Sequence, residues 1–285
     1  MKGITIGCDG AADLGDIAEK RGIVTEPLTV ILGDRSGADG SEITPADIFA
    51  YYDETKKTPK TAAVSPERYA ALFERMTRDG GEAVYICAAQ TKSSCYDNAV
   101  MAAKDYPGVY VVDSQSLSAG IGLLALYADD LRQTGKYTAA EIAEKVTARR
   151  GAINLSLIVD NMTFLHKGGR CSGVAAFIAS VLKIKPCIAV TGGKMEVCQK
   201  YRGSTDKAIV KYVADTLRSY PDPDLKYVFV THTSARPEVV ETVKREVLAV
   251  FPSANIIETI AGATVTSHCG KGTLGVLYFN DGGKV

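Results

Sequence analysis

The sequence is poor in the residues from which metal and redox centres are built. Its 285 residues include three histidines and no HExxH pair, so a metal site has little to build on. The seven cysteines, at 8, 87, 95, 171, 187, 198 and 269, are odd in number and form no CxxC pair. Several lie in strand-like apolar runs, which suits buried thiols in a reducing cytosol better than disulfides or zinc. No window approaches the roughly 20 apolar residues that span a bilayer. The opening MKGITIGCDG carries neither a long apolar core nor a cleavage site. A soluble, cytoplasmic protein without stable membrane insertion is expected. Neither charge is in excess, with Lys plus Arg and Asp plus Glu at 33 each. That balance argues against broad nucleic-acid or anionic-membrane binding, which needs a basic face. There is also no GxSxG, no Cys/His pair at motif spacing and no carboxylate pair that stands out.

What is present is alternation. GITIGCD, VTEPLTVILG, EAVYICAA and GVYVVDS read as strands, with helical patterns between them. Thr44, Pro45 and Asp47 supply an N-cap, a first-turn proline and a third-position acid, and Thr138 with Glu141 forms a second capping box. After about residue 152 the pattern restarts with INLSLIVDN, then a predicted helix VAAFIASVLK and a hairpin turning at Gly192–Gly193. Apolar strands with little alternation, joined by helices, indicate sheets covered on both faces. The expected fold is α/β, with an N-terminal domain over 1–150 and a C-terminal domain over 151–285.

In such sheets ligands bind beyond the carboxyl ends of strands, where Asp9, Ser93 and His232 fall. Ser93 and Ser94 also open a helix, whose first N–H groups favour an anion, although a bare N-cap needs no ligand. FLHKGGRCSG, residues 164–173, sets two glycines before Arg170, so that the backbone can turn and aim a guanidinium at a carboxylate or phosphate. A solvated basic loop is the plainer reading. Gly270-x-Gly272-x-x-Gly275 spells a dinucleotide fingerprint, but a strand-like segment follows it where a helix is required. Tight turns explain these glycines, leaving His268 as the reactive-looking member.

Taken in order, these pieces resemble the DegV family. FLHKGGRCSG followed by VLKIKPCIAVTGGKMEVCQKYRG is similar to its L-x-KGGR-x-S … L-x-IKP … K-x-RG signature. VVDSQSLSAGIG resembles its DS-x-x-x-S-x-G-x-G segment, SHCGKGTLG its H-x-GPG-x-x-G, and CDGAADL its TDSTADL. The resemblance implies a fatty-acid carrier whose two α/β domains clasp the acyl chain. In bacteria with a fatty acid kinase, such carriers present the carboxylate for conversion to acyl phosphate, which feeds phospholipid metabolism. It also implies carboxylate contacts at Thr61, Ser93, Ser94, Arg170 and His268, and kinase docking at Arg202. The sequence departs from the family at Ser94, where the family has glycine, and at Lys271, where it has proline.

The implied donors fit the chemistry, because an ionised carboxylate only accepts hydrogen bonds. The expected ligand is therefore a bound long-chain fatty acid, with no cofactor and no metal, and the expected partner a fatty acid kinase. The alternative is a small-molecule enzyme of transferase or kinase type, using Arg170, Arg202 and His268 on a phosphorylated or carboxylated ligand. A carrier needs a long apolar tunnel behind Ser93, and such an enzyme a polar cleft. A regulatory protein without ligand would have a filled core there.

Overall fold

The computed structural model describes residues 3–160, 162–171 and 184–283. Strand β1 (Ile4–Asp9) pairs in parallel with β2 (Val24–Glu26). A small antiparallel sheet follows from β3 (Thr29–Leu32), β4 (Arg35–Ala38) and β5 (Lys60–Ala62), in the order β4-β3-β5. Then β6 (Glu82–Cys87) and β7 (Val109–Asp113) complete a parallel sheet of order β2-β1-β6-β7. VTEPLTVILG, expected as one strand, is thus two strands in two sheets. Pro27 explains the break, since it has no N–H for a ladder and restricts the residue before it.

The later strands β8 (Ile153–Asn154), β9 (Ser156–Ile158), β10 (Ile184–Thr191), β11 (Lys194–Arg202), β12 (Val228–His232), β13 (Ile256–Ile260) and β14 (Leu274–Phe279) form a mixed sheet. Among the described residues its order is β11-β10-β9-β14-β12-β13, with β8 also pairing β14. β10 and β11 turn at Gly192–Gly193, both at positive φ, as expected. Every residue of β12 and β14 is buried, which accounts for runs such as VFVTH and LGVLYF that show no alternation.

Helices α1 (Asp16–Arg21), α2 (Pro45–Thr55), α3 (Pro66–Met76), α4 (Cys95–Ala103), α5 (Ala119–Gln133), α6 (Ala139–Arg149) and α7 (Thr163–Gly168) lie in the first part of the chain. α8 (Thr205–Ser219), α9 (Pro237–Val250) and α10 (Ala263–Cys269) lie in the rest. Both capping boxes form, at Thr44/Asp47 and Thr138/Glu141. The helix read in VAAFIASVLK falls outside the described residues. α10 was not anticipated: its start is held by Asp39, which accepts from the N–H groups of Ala263 and Thr264 at 2.7 and 2.8 Å. A distant carboxylate supplies the cap that the local sequence lacks.

One apolar core runs from the first sheet, through Ile6, Ile86 and Leu124, to Ile188, Leu277 and Phe279 of the second. Ion pairs reinforce the join. Buried Arg149 pairs with Asp224 and Asp281 at 2.7 and 2.9 Å and stacks on Phe279, 3.8 Å from its ring centre. Lys226 reaches across to Asp130 at 2.6 Å. The α/β class expected from alternation is the architecture found.

Candidate functional site

A cavity of about 320 Å³ lies between these sheets, bounded by both parts of the chain. That falls within the range of small-molecule sites, about 300–1,000 Å³. Leu117, Leu155, Leu157, Val190, Met195 and Leu277 give it apolar walls. Thr61, Ser93, Ser94, Arg170 and His268 all line it as well. These five come from β5, the start of α4, the turn after α7, and α10, so the fold gathers residues spread over some two hundred positions. Arg202, at the exposed end of β11, does not line it.

The polar contacts are built locally. Thr61 Oγ1 lies 2.9 Å from His268 Nε2. Nδ1 of His268 is enclosed and has no hydrogen-bond partner. It faces Gly168, where an added Cβ would come within 2.6 Å of it. Gly168 therefore permits a close approach of backbone to imidazole. Gly169 ends α7 in the left-handed conformation, φ 69°, and lets the chain fold back. FLHKG, read as part of a loop, is helical for this one short element. Arg170 then donates from Nη1 to the Gly168 carbonyl at 2.7 Å, and no carboxylate among the described residues pairs with it. Burial, and secondarily the charge of Arg170, lower the pKa of His268 to about 4, so the imidazole is neutral at pH 7.

Ser94 is the N-cap residue of α4 but its side chain makes no cap bond; Ser93 Oγ instead accepts from the Cys95 N–H at 3.3 Å. Asn98 donates to the Val64 carbonyl at 2.7 Å, tying α4 to the segment after Thr61. Lys271, the departure from the family proline, sits over the Phe49 ring at 5.3 Å. Gly270 and Gly272 have φ of 70° and 73° and lead into β14, so they serve turns, as expected, and not a helix-opening dinucleotide loop.

The strand-end residues divide. His232 lines the cavity, its Nδ1 accepting from the Ala235 N–H at 3.3 Å and its Nε2 3.3 Å from Glu258. Asp9 is fully buried, is not in the cavity wall, and accepts from Tyr69, Tyr85 and the Ala88 N–H at 2.6, 3.1 and 2.7 Å. Sequence reasoning missed Thr264, whose buried Oγ1 has no partner, and Lys92, both in the wall. Thr264 stands four residues before His268, so both share one face of α10 with Val265 and Cys269. Recognising that helix would have found it.

Comparison with known proteins addresses the family directly. The model of the DegV family, described as an uncharacterised protein family, matches residues 3–281. The chain belongs to the DegV family. A DegV domain-containing protein of Streptomyces coelicolor is 29% identical over 268 residues, covering 91% of this chain and 92% of its own length. The structure of a DegV-family protein from Thermus thermophilus, described by its fatty-acid binding, matches with TM-score 0.88 and 28% identity over 98% of this chain and 99% of that one. The fatty acid kinase B3 protein of Streptococcus pneumoniae, solved with linoleic acid, matches with TM-score 0.84 over 98% and 100% of the two chains. At its 21% identity that likeness is one of fold.

Proposed function

We propose that this DegV-family protein is a carrier that binds a long-chain fatty acid, its tail in the cavity and its carboxylate held by Thr61, Ser93, Ser94, Arg170 and His268. The observation that carries the reading is one cavity with apolar walls that also holds a cluster of donors and the Arg170 guanidinium, which no carboxylate among the described residues pairs. An anion with a long apolar tail satisfies both. With the imidazole proton on Nε2, His268 donates to Thr61 Oγ1 and so acts on the carboxylate through Thr61, whose hydroxyl proton is then free for a carboxylate oxygen. Ser93 and Ser94, at the start of α4, add donors where the helix dipole favours negative charge. The tail supplies most of the affinity, since about fourteen methylenes at roughly 0.8 kcal/mol each are worth around 11 kcal/mol before ordering costs.

The apolar walls favour this carrier over an enzyme acting on a phosphorylated ligand, which would need a polar cleft with room for a second substrate. The same reading has the carrier present its carboxylate to a fatty acid kinase, with Arg202 on the outer surface as a docking residue. The family motifs support that step, and the exposed position of Arg202 is compatible with it. The organisation into domains over 1–150 and 151–285 belongs to the same proposal, supported by the confinement of the parallel sheet to β1–β7 and of the mixed sheet to β8–β14.

Mass spectrometry of the purified protein, native and then denatured, tests the carrier function. A released mass matching a fatty acid is expected. A protein that is empty and takes up no added fatty acid would overturn the reading. Ser93→Ala and His268→Ala should each weaken binding with the fold retained, and unchanged affinity in both would remove the carboxylate site. Transfer to a kinase is checked separately, by whether a fatty acid kinase forms acyl phosphate from the loaded protein and loses rate with Arg202→Ala.

A further inference from the structure

Two of the seven cysteines lie together outside the cavity. β10 and β11 pair in regular antiparallel register except at one place, where Cys187 is opposite Gln199 and the next residue, Ile188, is opposite Val197. Cys198 is the extra residue of a β-bulge, so Cys198 and Gln199 together face Cys187. The Cys198 thiol lies 3.5 Å from the Cys187 carbonyl, and the two thiols are within hydrogen-bonding reach of each other. With facing strands about 4.8 Å apart and a rise of about 3.3 Å per residue, a residue one place along from the directly opposed one lies at about 6 Å, inside the span a disulfide bridges. The environments differ: Cys198 is exposed and Cys187 is buried beside Ser156 and Tyr212. We propose that Cys198 and Cys187 form a peroxide-sensitive dithiol, with Cys198 the reacting thiol and Cys187 the resolving one.

The asymmetry suits those roles. The hydrogen bond from the Cys187 thiol, with backbone N–H groups of the hairpin, lowers the Cys198 pKa to about 7, while donating that bond and burial push Cys187 up. The Cys198 thiolate attacks a hydroperoxide, breaking the O–O bond. One oxygen stays on sulfur as a sulfenic acid, and the other leaves as alcohol or water after taking a proton. Sulfur loses two electrons and the peroxide gains them. Cys187 then displaces the sulfenic hydroxyl, which departs with the Cys187 proton as water, and an S–S bond joins β10 to β11. The linked hairpin carries Val190 and Met195 of the cavity wall, and the Gly193 carbonyl at its tip accepts from Thr91 at 2.7 Å. The modification therefore lies on an element that bounds the binding site, though the proposal does not depend on what that site holds.

The test treats the folded, reduced protein with hydrogen peroxide, blocks free thiols, and maps peptides by mass spectrometry without reduction. The expected product is a Cys187–Cys198 linked peptide, two hydrogens lighter and restored by dithiothreitol. In Cys187→Ser, dimedone should capture a sulfenic acid at Cys198. Cys198→Ser, a change at an exposed position, should give no linked peptide. Alkylation of Cys198 should run about threefold faster in the folded than in the urea-unfolded chain at pH 7, and about sixfold faster at pH 6, because the gain in thiolate exceeds its loss of nucleophilicity. Oxidation of Cys198 to the sulfinic acid with Cys187 still reduced would overturn the proposal. Equal alkylation rates in the two states at both pH values would do the same.

Discussion

Asp9, fully buried, and His268, half-buried, are both polar groups at functional-looking places, and the protein treats them oppositely. Asp9 ends β1 and has its oxygens met by Tyr69, Tyr85 and the Ala88 N–H. Burial raises its pKa, and those hydrogen bonds work against the rise. Among the described residues His268 keeps one bond, to Thr61, leaves Nδ1 without a partner, and has the Arg170 guanidinium nearby. A satisfied buried group fixes the fold, whereas polar groups left open beside an apolar cavity are an invitation to a ligand. Asp13 stands between the two. It accepts from Ser118 and from the Gly262 N–H at 2.7 Å, just before α10, while Asp39 sits close by.

The contrast is most easily broken at Asp9. Asp9→Ala strands three buried donors, and leaving each unpaired costs about 1–3 kcal/mol. Urea unfolding should show a loss of at least about 3 kcal/mol; a loss under about 1 kcal/mol would mean that Asp9 is not the closed, structural group described here. The pH dependence of Asp13 comes next. Its pKa is raised to about 7, by burial first and Asp39 last, against hydrogen bonds that lower it. A raised value means the folded state holds the proton more tightly, so this stabilisation is complete below about pH 4 and is lost as pH rises to about 7. Asp13→Asn should flatten that fall in the urea midpoint, and an unchanged slope would locate it elsewhere.

His268 runs the other way over nearly the same window. Its pKa is lowered to about 4, so its contribution is present above about pH 6.5 and is lost as pH falls towards 4. NMR titration of the imidazole should show it neutral at pH 6, and protonation there would remove the neutral donor used above. Thr61→Val then separates binding from folding. It should weaken fatty-acid binding about 10- to 150-fold, the loss of a hydrogen bond to a charged group, with stability changed by about 1 kcal/mol. A larger effect on stability than on binding would make Thr61 resemble Asp9. Lys271→Ala should have the smallest effect, since an exposed cation–π contact is worth about 0.5–1 kcal/mol. Affinity should stay within about twofold of the parent, as titration calorimetry can check.

By itself the sequence determined the elements whose causes are local. The Thr44/Asp47 and Thr138/Glu141 boxes, the Gly192–Gly193 hairpin and strands such as EAVYICAA and GVYVVDS depend on neighbours in the chain, and these are found where the pattern put them. The ordered KGGR, IKP and HCGKG pieces likewise identified the family. Tertiary structure decided the rest. It split VTEPLTVILG at Pro27 between two sheets and capped α10 with Asp39, two hundred residues away. It also filled the acceptors of Asp9 while leaving His268 Nδ1 and Thr264 Oγ1 unpaired. Helix caps and turns are settled within a few residues, because their partners are adjacent in the chain. Whether a buried polar group is satisfied depends on which distant group arrives beside it, as Thr61 does for His268 across 207 positions.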